Sequence, residues 1–120
     1  MGIGRFEDIE AWQEARVLVR EVYELFQGCR DIGFRDQIQR AAVSVMSNIA
    51  EGFDRHSNKE FLHFLGISRG SLAEVRSLAY AALDIGYLPG EGFRTIEQRC
   101  AHLKGLINGF IHYLKRHQNK

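Results

Sequence analysis

The sequence predicts an all-α fold, an antiparallel up-down-up-down four-helix bundle. Three observations predict it. Apolar residues recur at steps of three and four along four successive stretches, the spacing of a helix that buries one face. Pro89 is the single proline among 120 residues, so nearly the whole chain is free to be helical. No strand-type alternation or hairpin turn interrupts the pattern, and connections of about 4–7 residues make consecutive helices antiparallel neighbours. Residues 1–120 are read as one bundle domain, since a chain of this length can bury a useful core. Hydrophobic content of 45% and charged content of 26% are ordinary for a globular protein.

The first helix is expected from Asp8 to Gln27. Ile9, Trp12, Ala15, Val19, Val22 and Phe26 form its stripe, and Leu18 and Leu25 widen it. Gly28 is read as its stop. The second is expected from Phe34 to Gly52, with Phe34, Ile38, Ala41, Val45 and Ile49 inward, Ala42 and Met46 beside them, and Gly52 as the stop. Ser57-Asn58-Lys59-Glu60 reads as a capping box opening the third helix, which runs to Ile85 before Gly86 and Pro89. Its seam is expected at Phe61, Phe64, Ser68, Ser71, Val75, Leu78, Ala82 and Ile85, with a second stripe at Leu62, Leu65, Leu72, Ala79 and Leu83. The fourth helix is expected from Glu91 to His117, lined by Ile96, Cys100, Leu103, Ile107, Phe110 and Leu114. Gly105 and Gly109 either loosen it or admit a close neighbour.

One stretch departs from the amphipathic pattern. Gln37, Ser44, Asn48, Glu51 and Arg55 lie three, four or seven residues apart, so they share one side of the second helix, next to its apolar stripe. Ser68 and Ser71 occupy seam positions of the third helix where leucine is expected, and Glu74 follows one turn later. Half-buried polar groups need partners. These eight residues read either as a polar network that fixes helix register or a subunit interface, or as a binding site. Glu51 and Arg55 can pair along the helix.

Charge is near balance, +1 overall, but unevenly placed. Residues 1–31 carry seven acids and four bases, whereas residues 91–120 carry six bases and two acids. Arg94, Arg99, Lys104, Lys115 and Arg116 on the fourth helix, with Arg69 and Arg76 on the third, are the nucleic-acid-binding candidates. Their other reading is a solvated basic face, or pairing with the acidic first helix of the same or another chain.

Cys29 and Cys100 are too few for a disulfide scaffold and are read as reduced thiols in a cytoplasmic protein. No signal peptide or membrane-length apolar run is visible, so no membrane partner is expected. A di-metal bundle centre needs two Glu-x-x-His motifs, and only Glu60-Phe61-Leu62-His63 fits. No serine or cysteine stands with a base and an orienting acid. The expectation is therefore no catalytic residue, no metal and no cofactor.

Several of these residues carry a resemblance. Phe6, Ile9 and Trp12, then Gln37 with Arg40-Ala41-Ala42, then Ser44 and Asn48-Ile49-Ala50-Glu51-Gly52 with Arg55 and Ser57, come first. Phe61-Leu62, Ser68-Arg69-Gly70-Ser71-Leu72-Ala73-Glu74 and Gly86-Tyr87-Leu88 follow. Together they resemble the four-helix bundle proteins encoded in intervening sequences of bacterial 23S ribosomal RNA genes, from about Phe6 to about Leu114. The resemblance implies an antiparallel bundle that assembles as a closed homopentamer and has a largely undefined molecular role. It also implies kinship with the accessory variability protein of diversity-generating retroelements, a pentamer that binds RNA and a reverse transcriptase through basic surfaces. The functional expectation is a non-enzymatic oligomeric scaffold that contacts RNA or a ribonucleoprotein. The alternative is a protein-protein adaptor without nucleic-acid binding, working through the polar second-helix surface or the acidic first helix.

Overall fold

The computed structural model describes residues 2–117. Lys120, one of the six bases counted toward the C-terminus, lies outside them. Four helices follow a short 3-10 turn at Phe6–Asp8: α1 (Glu10–Leu25), α2 (Ile32–Asp54), α3 (Asn58–Ile85) and α4 (Gly90–His117). Each helix packs on its neighbours in sequence, and α1 meets α4 to close the ring. The result is the all-α four-helix bundle that the periodicity predicts, a rod of 50 × 20 × 20 Å.

The first helix is shorter than expected. Ile9 has extended backbone and joins the 3-10 turn to α1 as a helix N-cap. Its side chain is buried, so it stays in the core stripe although it lies outside the helix. At the other end α1 stops at Leu25, before Gly28. Phe26 leaves helical geometry and buries its ring, and a turn then carries the chain through Gly28. The glycine is not the stop, because it adopts no positive φ.

α2 begins two residues early because Asp31 caps it, its carboxylate accepting from Phe34 N at 3.1 Å. It also passes through Gly52, which corrects the expected stop. Gly52 is buried in the helix, where its missing side chain admits Phe61 and Phe64 of α3. The actual break lies four residues on, where His56 adopts φ 57.

α3 starts and ends as expected. Ser57 Oγ accepts from Glu60 N at 3.4 Å, but the Glu60 carboxylate faces Arg55 at 3.8 Å instead of closing the capping box. Gly86 takes φ 92, and amides of Gly86 and Tyr87 return to Leu83 and Ala82 carbonyls, a Schellman stop. The two stripes read from the sequence merge into one core line of Phe61, Leu65, Ser68, Leu72, Val75, Ala79 and Ala82. Phe64, Ser71 and Leu78 fall on its α2 side, and Ile85 is exposed. On α4, Ile111 is buried and Phe110 sits half-buried beside it. A Cβ on Gly105 or Gly109 would meet nothing within 4 Å, so neither glycine admits a neighbour among the described residues.

Candidate functional site

The α2–α3 interface gathers the serines. Ser68 is fully buried, and its hydroxyl donates to the Val45 carbonyl of α2 at 2.7 Å. One turn along, Ser71 and Ser44 hydroxyls meet at 2.8 Å. Asn48 Nδ2 donates to both the Ser44 carbonyl, at 2.8 Å, and Ser44 Oγ, at 2.9 Å. Gln37 Nε2 reaches Glu74 Oε2 at 3.4 Å on the exposed margin. Glu51 and Arg55 pair along α2 at 3.0 Å, and the Arg55 guanidinium lies over the Phe64 ring at 5.0 Å. All eight residues of the polar run thus take partners within the chain. Above Ser44 and Ser71 lies an open cleft of about 510 Å³, whose rim carries Asp36, Arg40 and Glu74.

The basic residues divide into two sets. Arg99 is held by α1: Nη1 donates to Glu14 at 2.7 Å, and Nε and Nη2 donate to Glu21 at 3.0 and 3.3 Å. Arg76 Nη2 donates to Glu97 of α4 at 2.6 Å. Both guanidiniums are held above their usual pKa, first by those hydrogen bonds. Acidic α1 and basic α4 therefore pair within one chain, through one arginine. Arg69, Arg94, Lys104, Lys115 and Arg116 have no carboxylate within 4.0 Å among the described residues. All five are exposed. Arg69 makes only a neutral contact, Nη1 to Asn108 Oδ1 at 3.0 Å.

Sequence reasoning missed three contacts. Tyr87 Oη donates to Asp31 at 2.8 Å, locking the α3–α4 loop onto the cap of α2 and holding that carboxyl below its usual range. Arg76–Glu97 was hidden because both were counted only as charges. Antiparallel register would have revealed it: Tyr80 packs on Phe93, and one turn along each helix lie Arg76 and Glu97. The third is the Ser68 bond to backbone, for which the residue type gives no address.

Among the described residues, no three metal-ligating side chains converge, and no helix is long and apolar enough to cross a membrane. Fold and site together define a small helical bundle whose buried and half-buried polar groups tie helix to helix, and whose third and fourth helices carry five exposed cations without a carboxylate partner among the described residues. The chain belongs to the family of 23S rRNA-intervening sequence proteins, which matches it over residues 7–109. A solved structure from Bacteroides thetaiotaomicron, a protein with unknown function from the S23 ribosomal protein family, superposes with a TM-score of 0.80 at 17% identity. The match covers 84% of this chain and 97% of that one. No curated protein matches the sequence.

Proposed function

We propose that this protein is a non-enzymatic, self-associating scaffold of the cytoplasm that holds RNA or a ribonucleoprotein on the outer edge of α3 and α4. The observation that carries this reading is the set of five exposed cations without carboxylate partners, Arg69, Arg94, Lys104, Lys115 and Arg116. Arginine and lysine neutralise backbone phosphates and release counterions, so such an edge binds RNA without reading its sequence.

Self-association rests on a different edge. Glu14 and Glu21 mark the α4 side of α1 and Ser44 marks the α3 side of α2. The opposite sides of these two helices therefore adjoin each other. They carry exposed Tyr23 and Val43, with half-buried Trp12, Val19 and Met46 alongside. An apolar strip of this kind is covered when copies meet. A closed homopentamer, the assembly implied by the family resemblance, would repeat the basic edge five times and combine weak sites through avidity.

The test is fluorescence anisotropy of a labelled single-stranded RNA across a salt series, with mass measured by light scattering. Five neutralised phosphates per chain give a log-log salt slope of about −3.5. A flat salt response, or no binding at micromolar protein, would overturn the RNA reading. A monomeric mass that is unchanged by Tyr23→Glu would overturn the self-association reading.

A further inference from the structure

The register of α3 against α4 has a third rung. Tyr80 packs edge-on to Phe93 at 4.8 Å between centroids, and Arg76 meets Glu97 one turn along. Two more turns along both helices place Arg69 opposite Lys104. An apolar pair and an ion pair are thus followed by two like charges. Like charges across a helix pair are destabilising. Arg69 turns from the lysine to the neutral Asn108 side chain, and Lys104 has no charged partner among the described residues. Both residues, with Arg76, line one cavity of about 360 Å³ between the helices, together with Gly66, Gly70, Leu72 and Ala73. No carboxylate is in that lining. Glu97 engages Arg76 through Nη2 and leaves Nη1 without a partner among the described residues, while Arg76 Nε and Glu97 Oε2 are buried and unpartnered beside it.

From this juxtaposition we propose that the α3–α4 cavity is a phosphate site, in which Arg69, Arg76 and Lys104 converge on one tetrahedral oxyanion. Arg69 offers its planar fork, Lys104 a compact charge, and Arg76 a guanidinium already oriented by Glu97. A volume of about 360 Å³ lies near the small end of the range of small-molecule clefts. A bound dianion removes the Arg69–Lys104 repulsion, and Gly66 and Gly70 leave the α3 wall low enough for an attached chain to pass. The phosphate is either a diester of an RNA backbone or a free phosphate. The diester form rests on the RNA reading above, whereas the oxyanion site rests on the rung alone.

The experiment has two arms on the same protein. In the first, the Nε–H resonances of Arg69 and Arg76 are followed by NMR while inorganic phosphate replaces chloride at constant ionic strength. A saturable shift is expected in the wild type. It should weaken about tenfold in Lys104→Gln and in Arg69→Gln, two exposed positions that leave the fold intact by thermal melting. In the second arm, labelled single-stranded RNA is titrated over a salt series. Each groove variant should lower the salt slope by about 0.7 per lost contact, and should weaken RNA more than Arg94→Gln does. Phosphate shifts without RNA binding would leave a free-phosphate site and remove the RNA reading. RNA binding that is indifferent to Arg69 and Lys104, with resonances unmoved by phosphate, would overturn the site and leave that reading standing.

Discussion

Ser68 Oγ donates a 2.7 Å hydrogen bond to the main-chain carbonyl of Val45, so a side chain of α3 is tied to the backbone of α2. Ser68 is wholly buried, and leucine at this seam position would have to occupy the space of a hydroxyl. Ser68→Ala should cost about 1 kcal/mol, the net value of one hydrogen bond. Ser68→Leu should cost about 1–3 kcal/mol through overpacking, although it follows the heptad pattern better. Urea denaturation of both variants checks the order. Leucine more stable than alanine would show that the helices can part without penalty.

Gly52 and Gly105 should respond oppositely to alanine. Alanine is worth roughly 0.5–1 kcal/mol more than glycine inside a helix. At Gly105 the added methyl meets nothing within 4 Å, so Gly105→Ala should stabilise by about that amount. At Gly52 the methyl would lie 2.7 Å from Phe64 Cβ and 2.9 Å from Phe61 Cδ1. Those atoms belong to a packed helix, so Gly52→Ala should destabilise by about 1–3 kcal/mol despite its better propensity. Thermal melts of the two variants decide it.

These cases mark what was legible in the sequence. The four helices, the third helix cap at Ser57 and its αL stop at Gly86 were readable because each follows from local pattern. Gly52 was misread as a stop because one glycine can serve a turn or a close helix approach, and only its Phe61 and Phe64 neighbours decide which. The polar run was visible as a line on α2, and its partners Ser68, Ser71 and Glu74 were visible on α3. What stayed hidden was pairing across register. Pairing of basic α4 with acidic α1 was one of the readings, but not that Arg99 alone carries it, that Arg76 meets Glu97, or that Arg69 and Lys104 line one cavity.

Arg99 should be the main electrostatic tie between α1 and α4. Its guanidinium and the Glu14 and Glu21 carboxylates are each less than a third exposed. Arg99→Met should leave two neighbouring carboxylates without a counter-charge. The expected loss is about 1–3 kcal/mol, between the values for exposed and buried pairs. Adding Glu21→Gln to Arg99→Met should recover part of that loss. A double variant as unstable as the two single losses combined would remove the pairing argument.

The two cysteines should differ in reactivity. Burial, with a smaller contribution from the Glu97 charge, pushes the Cys100 thiol up to about 12. Its thiolate is therefore scarce at neutral pH, and its sulfur is enclosed by the core. Cys29 is half-buried in the α1–α2 connection, its Sγ directed at the Asp31 carbonyl at 3.7 Å. Native protein should release one thiol equivalent to a disulfide reagent, and the second only in denaturant. Peptide mapping after alkylation assigns the fast site to Cys29. Rapid labelling of Cys100 would mean that the α3–α4 interface opens.

Asp31 links the α2 cap to the α3–α4 loop, and that linkage gives a pH dependence. The Tyr87 hydroxyl first, and then Phe34 N, hold its carboxyl below the ordinary value of 3.8, against a small opposing effect of burial. A folded-state pKa below the unfolded one means that the unfolded chain binds the proton more readily. The contribution is present above about pH 4 and is lost as pH falls through the lower folded value. Asp31→Asn keeps a good N-cap and an acceptor for Tyr87 but removes the titration. Its melting temperature should therefore lie below that of the wild type at neutral pH and fall less steeply in acid. Tyr87→Phe keeps the ring against Phe34, 5.4 Å between centroids, while deleting the hydroxyl that does most to hold the Asp31 carboxyl down. It too should flatten the acid limb. Circular-dichroism melts between about pH 2 and pH 7 measure all three proteins. Parallel curves for wild type and Asp31→Asn would show that the cap and the loop are held without the charge.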